Sequence, residues 1–299
     1  MLFLQYGCCS IAVLACEGRT SRHLQEVSGR VPSWVRGRDV VPDCTLTIVP
    51  PWADAIAEPK WQTIAKTWSR AHQGLHEPSP RVLAAWRDLY ALGKSVERNK
   101  LLFQDIDGGG KAFFALLPGD ALKTPEDHVK WIIHIIRTLA VYWHVLYGGT
   151  PLHAAGVSRH GHGYLFLGPS GAGKSTVAGL SEYAQGAVIH DDRLLVGRLG
   201  EDYLLLRDDC HIAPVLRAVF LLRKGDTNRL TALGSQAIYA HLAKSILDYM
   251  VMDGRDLLAP WTQQAFRNAA AIARSVPGYE LSFRKSPDFW RVIDAELGS

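Results

Sequence analysis

A chain of 299 residues, 47% apolar and 21% charged, is long enough for one large domain or two modest ones, each with its own core. No apolar stretch approaches the roughly 20 residues that a membrane span needs, so no membrane partner is expected. The net charge of +4 comes from scattered Lys and Arg residues, which speaks against a nucleic-acid groove.

The opening residues, 1–16, are apolar. Val13-Leu14-Ala15-Cys16 faintly resembles a lipoprotein processing site, but the positive charges that should precede an exported apolar core are missing. A first pair of β-strands is expected there instead. The five cysteines (Cys8, Cys9, Cys16, Cys44 and Cys210) are odd in number and lack metal-type spacing, which fits reduced thiols in a cytoplasmic protein.

Thr45-Leu46-Thr47-Ile48-Val49 alternates as a strand does, and helical periodicity follows over 61–72 and 81–92. Residues 100–105 and 111–117 flank Asp107-Gly108-Gly109-Gly110 and read as a hairpin. This first part, residues 1–120, reads as a mixed α+β portion with no catalytic spacing and no assigned role.

Residues 121–299 are better ordered. Thr124-Pro125-Glu126-Asp127 opens a helix that should run to about residue 147, where Gly148-Gly149 stops it. A strand over 152–158, a polar turn at His160-Gly161-His162-Gly163 and an apolar strand over 164–167 follow. A glycine-rich loop leads into a helix over 174–184, and a strand over 187–190 delivers Asp191-Asp192. A hairpin (194–199 with 203–206), a buried-looking strand over 215–222, helices over 236–250 and 257–275, a strand over 279–283 and a helix after Pro287 close the chain. Strands alternating with helices around such a loop mean α/β.

The loop Gly168-Pro169-Ser170-Gly171-Ala172-Gly173-Lys174-Ser175 matches the phosphate-binding pattern Gly-x-x-x-x-Gly-Lys-Ser. Glycines let backbone N–H groups turn inward toward phosphate oxygens, and the helix that follows points its positive end at the anion. Lys174 supplies charge to the β- and γ-phosphates, and the Ser175 hydroxyl is a magnesium ligand. Thr176 completes the loop's contact set. ATP or another nucleoside triphosphate with Mg2+ is therefore the expected cofactor.

Asp191 and Asp192 follow an apolar strand within one helix and one strand of Lys174, a compact arrangement. One carboxylate can hold magnesium, directly or through water, and the other can accept a proton from an attacking hydroxyl. The plainer alternative is a solvated turn opening the next hairpin. His153, in the strand expected beside the phosphate-loop strand, is on local evidence more a structural residue than a functional one. His190 carries the same doubt, and His160 and His162 read as exposed turn residues.

Leu152-His153-Ala154-Ala155-Gly156, the loop from Gly168 to Thr176, and Val188-Ile189-His190-Asp191-Asp192 together resemble the HPr kinase/phosphorylase family, especially its small serine-kinase-like relatives. The likeness covers about residues 124–284. It implies a phosphate-loop kinase core of the HPr kinase/PEP carboxykinase type. It also implies that His153 assists at the γ-phosphate and that one of Asp191 and Asp192 is the base, with Asp192 preferred and Asp191 tied to the metal with Ser175.

The sequence departs from the family by lacking a Glu-x-Arg-Gly-Leu-Gly-type segment after the paired aspartates. The nearest acids there are Asp208 and Asp209, and the Pro-Gly-Arg loop linked to phosphorolysis is missing too. Relatives without those segments phosphorylate a serine of a ribosomally made precursor, including lasso peptide precursors. The expectation is thus an ATP-dependent kinase acting on a hydroxyl of a peptide or protein, with self-association left open. The rivals are a nucleotide-binding regulatory switch and a small-molecule kinase.

Overall fold

The computed structural model describes residues 2–6, 9–15, 18–30, 44–49, 102–105, 112–116, 123–206, 213–253 and 259–298. The helices expected over 61–72 and 81–92, and the acids Asp208 and Asp209, lie outside the described residues. The chain forms two compact units, Met1–Ala140 and Val141–Ser299.

In the first unit, apolar alternation builds a five-stranded sheet in the order β1-β2-β3-β5-β4. Its strands are β1 (Leu2–Tyr6), β2 (Cys9–Ala15), β3 (Cys44–Val49), β4 (Leu102–Asp105) and β5 (Ala112–Leu116). The expected first strand pair, β1 with β2, and the expected hairpin, β4 with β5, are both antiparallel. The β2–β3 and β3–β5 pairs are parallel. Leu4, Ile11, Val13, Leu46 and Ile48 are buried, as are Leu24 and Val27 of helix α1 (Gly18–Arg30).

Helix α2 (Pro125–Leu146) starts and stops for reasons visible in its sequence. Thr124 Oγ1 accepts the N–H of Asp127 at 3.2 Å, while Asp127 Oδ2 accepts the N–H of Thr124 at 3.0 Å, a reciprocal cap. At the other end Gly148 takes φ +92°, and the N–H of Gly149 reaches the His144 carbonyl at 2.7 Å.

The second unit is mixed α/β around a curled, nine-stranded mixed sheet. In chain order its strands are β6 (Thr150–His153), β7 (Ala155–Arg159), β8 (His162–Leu167), β9 (Ala187–His190), β10 (Arg193–Leu199), β11 (Asp202–Leu206), β12 (Val215–Lys224), β13 (Arg229–Leu233) and β14 (Gly278–Phe283). Its helices are α3 (Lys174–Glu182), α4 (Ser235–Asp253), α5 (Ala259–Ser275) and α6 (Phe289–Leu297). The order β6-β10-β11-β12-β8-β7-β9 runs along the sheet, and β14 pairs with both β12 and β13. The β8–β12 and β12–β14 pairs are parallel, so the chain leaves β8, β12 and β14 at the same edge. Tyr164, Phe166, Phe220, Phe283, Phe289 and Trp290 pack into the core beneath them.

One expectation is corrected here. Residues 152–158 do not form a single strand beside β8. The chain breaks at Ala154, whose N–H goes to the Asp192 carbonyl at 3.1 Å instead of to a neighbouring strand. The segment therefore divides into β6, which pairs antiparallel with β10, and β7, which pairs antiparallel with β8 and β9. His153 sits opposite Arg193 of β10. Among the described residues no helix is long and apolar enough to cross a membrane.

Candidate active site

Strand β8 is buried from Gly163 to Leu167, so its end is held rigidly, and the glycine loop begins at Gly168. A Cβ on Gly168 would lie 2.6 Å from that of Ala172, so the loop can fold back on itself only with glycine there. The turn is closed by the Ala172 N–H on the Pro169 carbonyl at 3.1 Å. Gly171 and Gly173 take φ +77° and +107°, in the left-handed region where side chains are strained. Gly173 is also pressed against the ring of Phe283, where a Cβ would meet Cζ at 2.7 Å.

Gly173 is the N-cap of α3 and offers no side chain to the helix's first N–H groups. Those groups, with the positive end of the helix, are a ready donor set for an anion. Pro169, Ser170, Gly171 and Ser175 are exposed, while Ala172 and Thr176 are half-buried. Lys174 is only 7% exposed, and its Nζ donates to the carbonyls of Gly168 at 2.9 Å and Pro169 at 3.4 Å. Burial pushes this ammonium below the usual lysine value of 10.5, the carboxylates of Asp192 and Asp248 pull it back up, and Lys244 adds to the depression.

The acidic pair is shaped by its neighbour. His190 Nδ1 accepts the N–H groups of Asp192 at 3.1 Å and Arg193 at 3.0 Å, which locks the turn between β9 and β10 and requires a lone pair on that nitrogen. This gives His190 a structural task that its place in the sequence did not reveal. Asp191 is exposed and makes no hydrogen bond or ion pair among the described residues. Asp192 is half-buried, and its Oδ1 lies 3.0 Å from Nδ1 of His153, close but off the alignment of a hydrogen bond.

His153 is held from behind, because Ser245 Oγ of α4 donates to its carbonyl at 2.9 Å. The structure thus brings His153 and Asp192 into contact, with the Asp192 carboxylate within electrostatic range of Lys174, and leaves Asp191 facing solvent. Ser245, Lys244 and Asp248 were missed by sequence reasoning. The one available signal was the Lys244/Asp248 spacing on a helix face, an ion pair at 3.0 Å.

Among the described residues no group of three or more His, Cys, Asp or Glu side chains forms a cage for a metal. Mg2+ is usually held by one or two carboxylates together with the phosphates of its nucleotide. Ser175, Asp191 and Asp192 carry oxygen donors of the kind that mode uses, Ser175 and Asp191 exposed and Asp192 half-buried. No protein-family model matches the chain, and no curated protein matches it.

Proposed function

We propose that this chain is an ATP-dependent kinase of the HPr-kinase-like type, with a phosphate-loop kinase core. It transfers the γ-phosphoryl group to a hydroxyl, a serine of a peptide or protein such as a ribosomally made precursor. The observation that carries this reading is the contact between His153 and Asp192, set beside Lys174 and the glycine loop. A carboxylate that acts on the loop lysine and carries an imidazole against it supports a site equipped to take a proton as well as to bind phosphate.

In this reading the loop amides from Gly168 to Thr176 and the Lys174 ammonium hold the triphosphate. The acceptor oxygen attacks the γ-phosphorus as the bond to the β–γ bridging oxygen breaks, and ADP leaves with that electron pair. Asp192 takes the acceptor's proton, and His153 steadies the Asp192 carboxylate and lies toward the γ-phosphate. Ser175 and Asp191 would hold Mg2+, which offsets phosphate charge when bound. Catalysis of this kind is positioning and charge neutralisation. The odd number of cysteines without metal-type spacing supports a cytoplasmic location, which belongs to the same proposal.

The test is ADP formation by the full chain with Mg·ATP, measured with and without serine-bearing peptides encoded beside it. Phosphate on a serine, abolished by Ser→Ala in the peptide, is the expected result. ATP binding without acceptor-dependent turnover would replace the kinase with the regulatory switch. Turnover only with small hydroxyl compounds would replace the peptide with a metabolite.

A further inference from the structure

Helix α4 enters the site from a distant part of the chain, and Ser245 fixes where it does so. With about 100° between successive residues of an α-helix, Asp248 lies angularly between Lys244 and Ser245, about 40° from the first and about 60° from the second. The three therefore form one contiguous patch, and its Ser245 corner touches the His153 carbonyl at 2.9 Å. Lys244 Nζ bonds both oxygens of Asp248, at 3.0 and 3.2 Å. Lys244 and Asp248 both act through space on the Lys174 ammonium, in opposite senses.

An ion pair four residues apart is a common device on solvated helices. This one differs in its place, one residue from the hydroxyl that holds His153 and within the field of the loop lysine. The charges of Asp192, Asp248 and Lys244 all act on the Lys174 ammonium there. The Lys244 side chain is 59% exposed, so its ammonium is free to swing on its stem. A triphosphate entering the loop brings several negative charges, and Asp248 becomes a like-charge neighbour of the anion.

We propose that Lys244 is a second phosphate-binding cation, held by Asp248 in the free protein and transferred to the outer phosphate oxygens when nucleotide enters. The proposal rests on the glycine loop being a phosphate site. Asp248 is its counter-ion and not a metal ligand, so the exchange needs no metal.

The experiment is equilibrium binding of inorganic tripolyphosphate to the full chain by calorimetry, with and without Mg2+, on wild type, Lys174→Ala, Lys244→Gln, Lys244→Arg and Asp248→Asn. Lys244→Gln should weaken binding about tenfold or more, and Lys244→Arg should stay within about threefold of wild type. Asp248→Asn should tighten binding severalfold in both conditions, because it removes the competing carboxylate. Unfolding curves for the same proteins check that the exposed substitutions leave the fold unchanged. Lys244→Gln binding like wild type while Lys174→Ala loses binding would overturn this proposal and leave the kinase reading standing. So would an Arg variant as weak as the Gln one, or weaker binding in Asp248→Asn. No binding by wild type would overturn both.

Discussion

Asp192 Oδ1 lies 3.0 Å from His153 Nδ1, although one residue sits in the turn just before β10 and the other ends β6. Asp191, its neighbour, has no such partner among the described residues and faces solvent. Two adjacent carboxylates placed so differently cannot share one task. Asp192→Asn should leave Mg·ATP affinity nearly unchanged while transfer falls by the order of 10²–10⁴ expected for loss of a general base. Asp191→Asn should weaken Mg·ATP binding and turnover together. Affinity and single-turnover transfer measured on both variants decide the matter. Full transfer in both would reduce the pair to a turn.

Lys174 is buried, and the cause of its lowered pKa is chiefly that burial. Between its folded-state value and 10.5 the unfolded chain binds more protons than the folded one, so stability attributable to this group rises with pH across that interval. Below the interval the charged lysine is a constant penalty. Lys174→Met should therefore be at least as stable as wild type near neutral pH, with the difference shrinking as pH rises through the alkaline range, and should no longer bind triphosphate. Denaturant titrations of both proteins at several pH values measure this. A variant markedly less stable near neutrality would mean that the lysine holds the loop together through the Gly168 and Pro169 carbonyls.

Two glycines in the same stretch of chain should answer oppositely to one change. Gly173→Ala places a side chain at φ +107° and drives Cβ into Phe283, so it should cost about 1–2 kcal/mol from the backbone alone and abolish phosphate binding. Gly179, inside α3, has nothing within 4 Å of a built Cβ, and Gly179→Ala should add about 0.5–1 kcal/mol. Thermal unfolding of both, with a nucleotide titration, checks the pair. Equal effects would show that the loop tolerates an L-residue in place of its second glycine.

Asn268 is 5% exposed and joins α5 to the end of α2. Its Nδ2 donates to the carbonyls of Val145 at 2.7 Å and Gly149 at 2.6 Å, and its Oδ1 accepts from Gln264 Nε2 at 2.7 Å. Asn268→Leu should cost about 1–3 kcal/mol, chiefly for the Gly149 carbonyl, because that of Val145 still accepts the Gly148 N–H at 3.4 Å. A loss well under 1 kcal/mol would mean that water reaches the Gly149 carbonyl.

Local signals carried much of the second unit. The apolar strands around the loop, the cap at Thr124 and the stop at Gly148-Gly149 are properties of short segments, and they are found where the residues place them. Helix α1 escaped because His23 and its polar surroundings mask the buried stripe of Leu24 and Val27. Strand β13 escaped because positions 229, 231 and 232 are exposed, so no apolar face announces it. The break at Ala154 depends on a carbonyl in the turn after β9, and the arrival of Ser245 on His153 depends on where a distant helix packs. Contacts of that kind leave no mark on the segment that receives them.

Phe283 bears on the order in which this unit is made. The glycine motif is synthesised well before the strand that carries that ring, and β12 has an open edge over residues 219–224 until β14 pairs with it. A nascent chain therefore displays the whole motif while lacking the ring behind Gly173. The motif meets that ring only late in translation, together with the closing of that sheet edge. A ribosome stalled just before residue 278 would leave β12 without its β14 partner, with an edge free to pair with other chains.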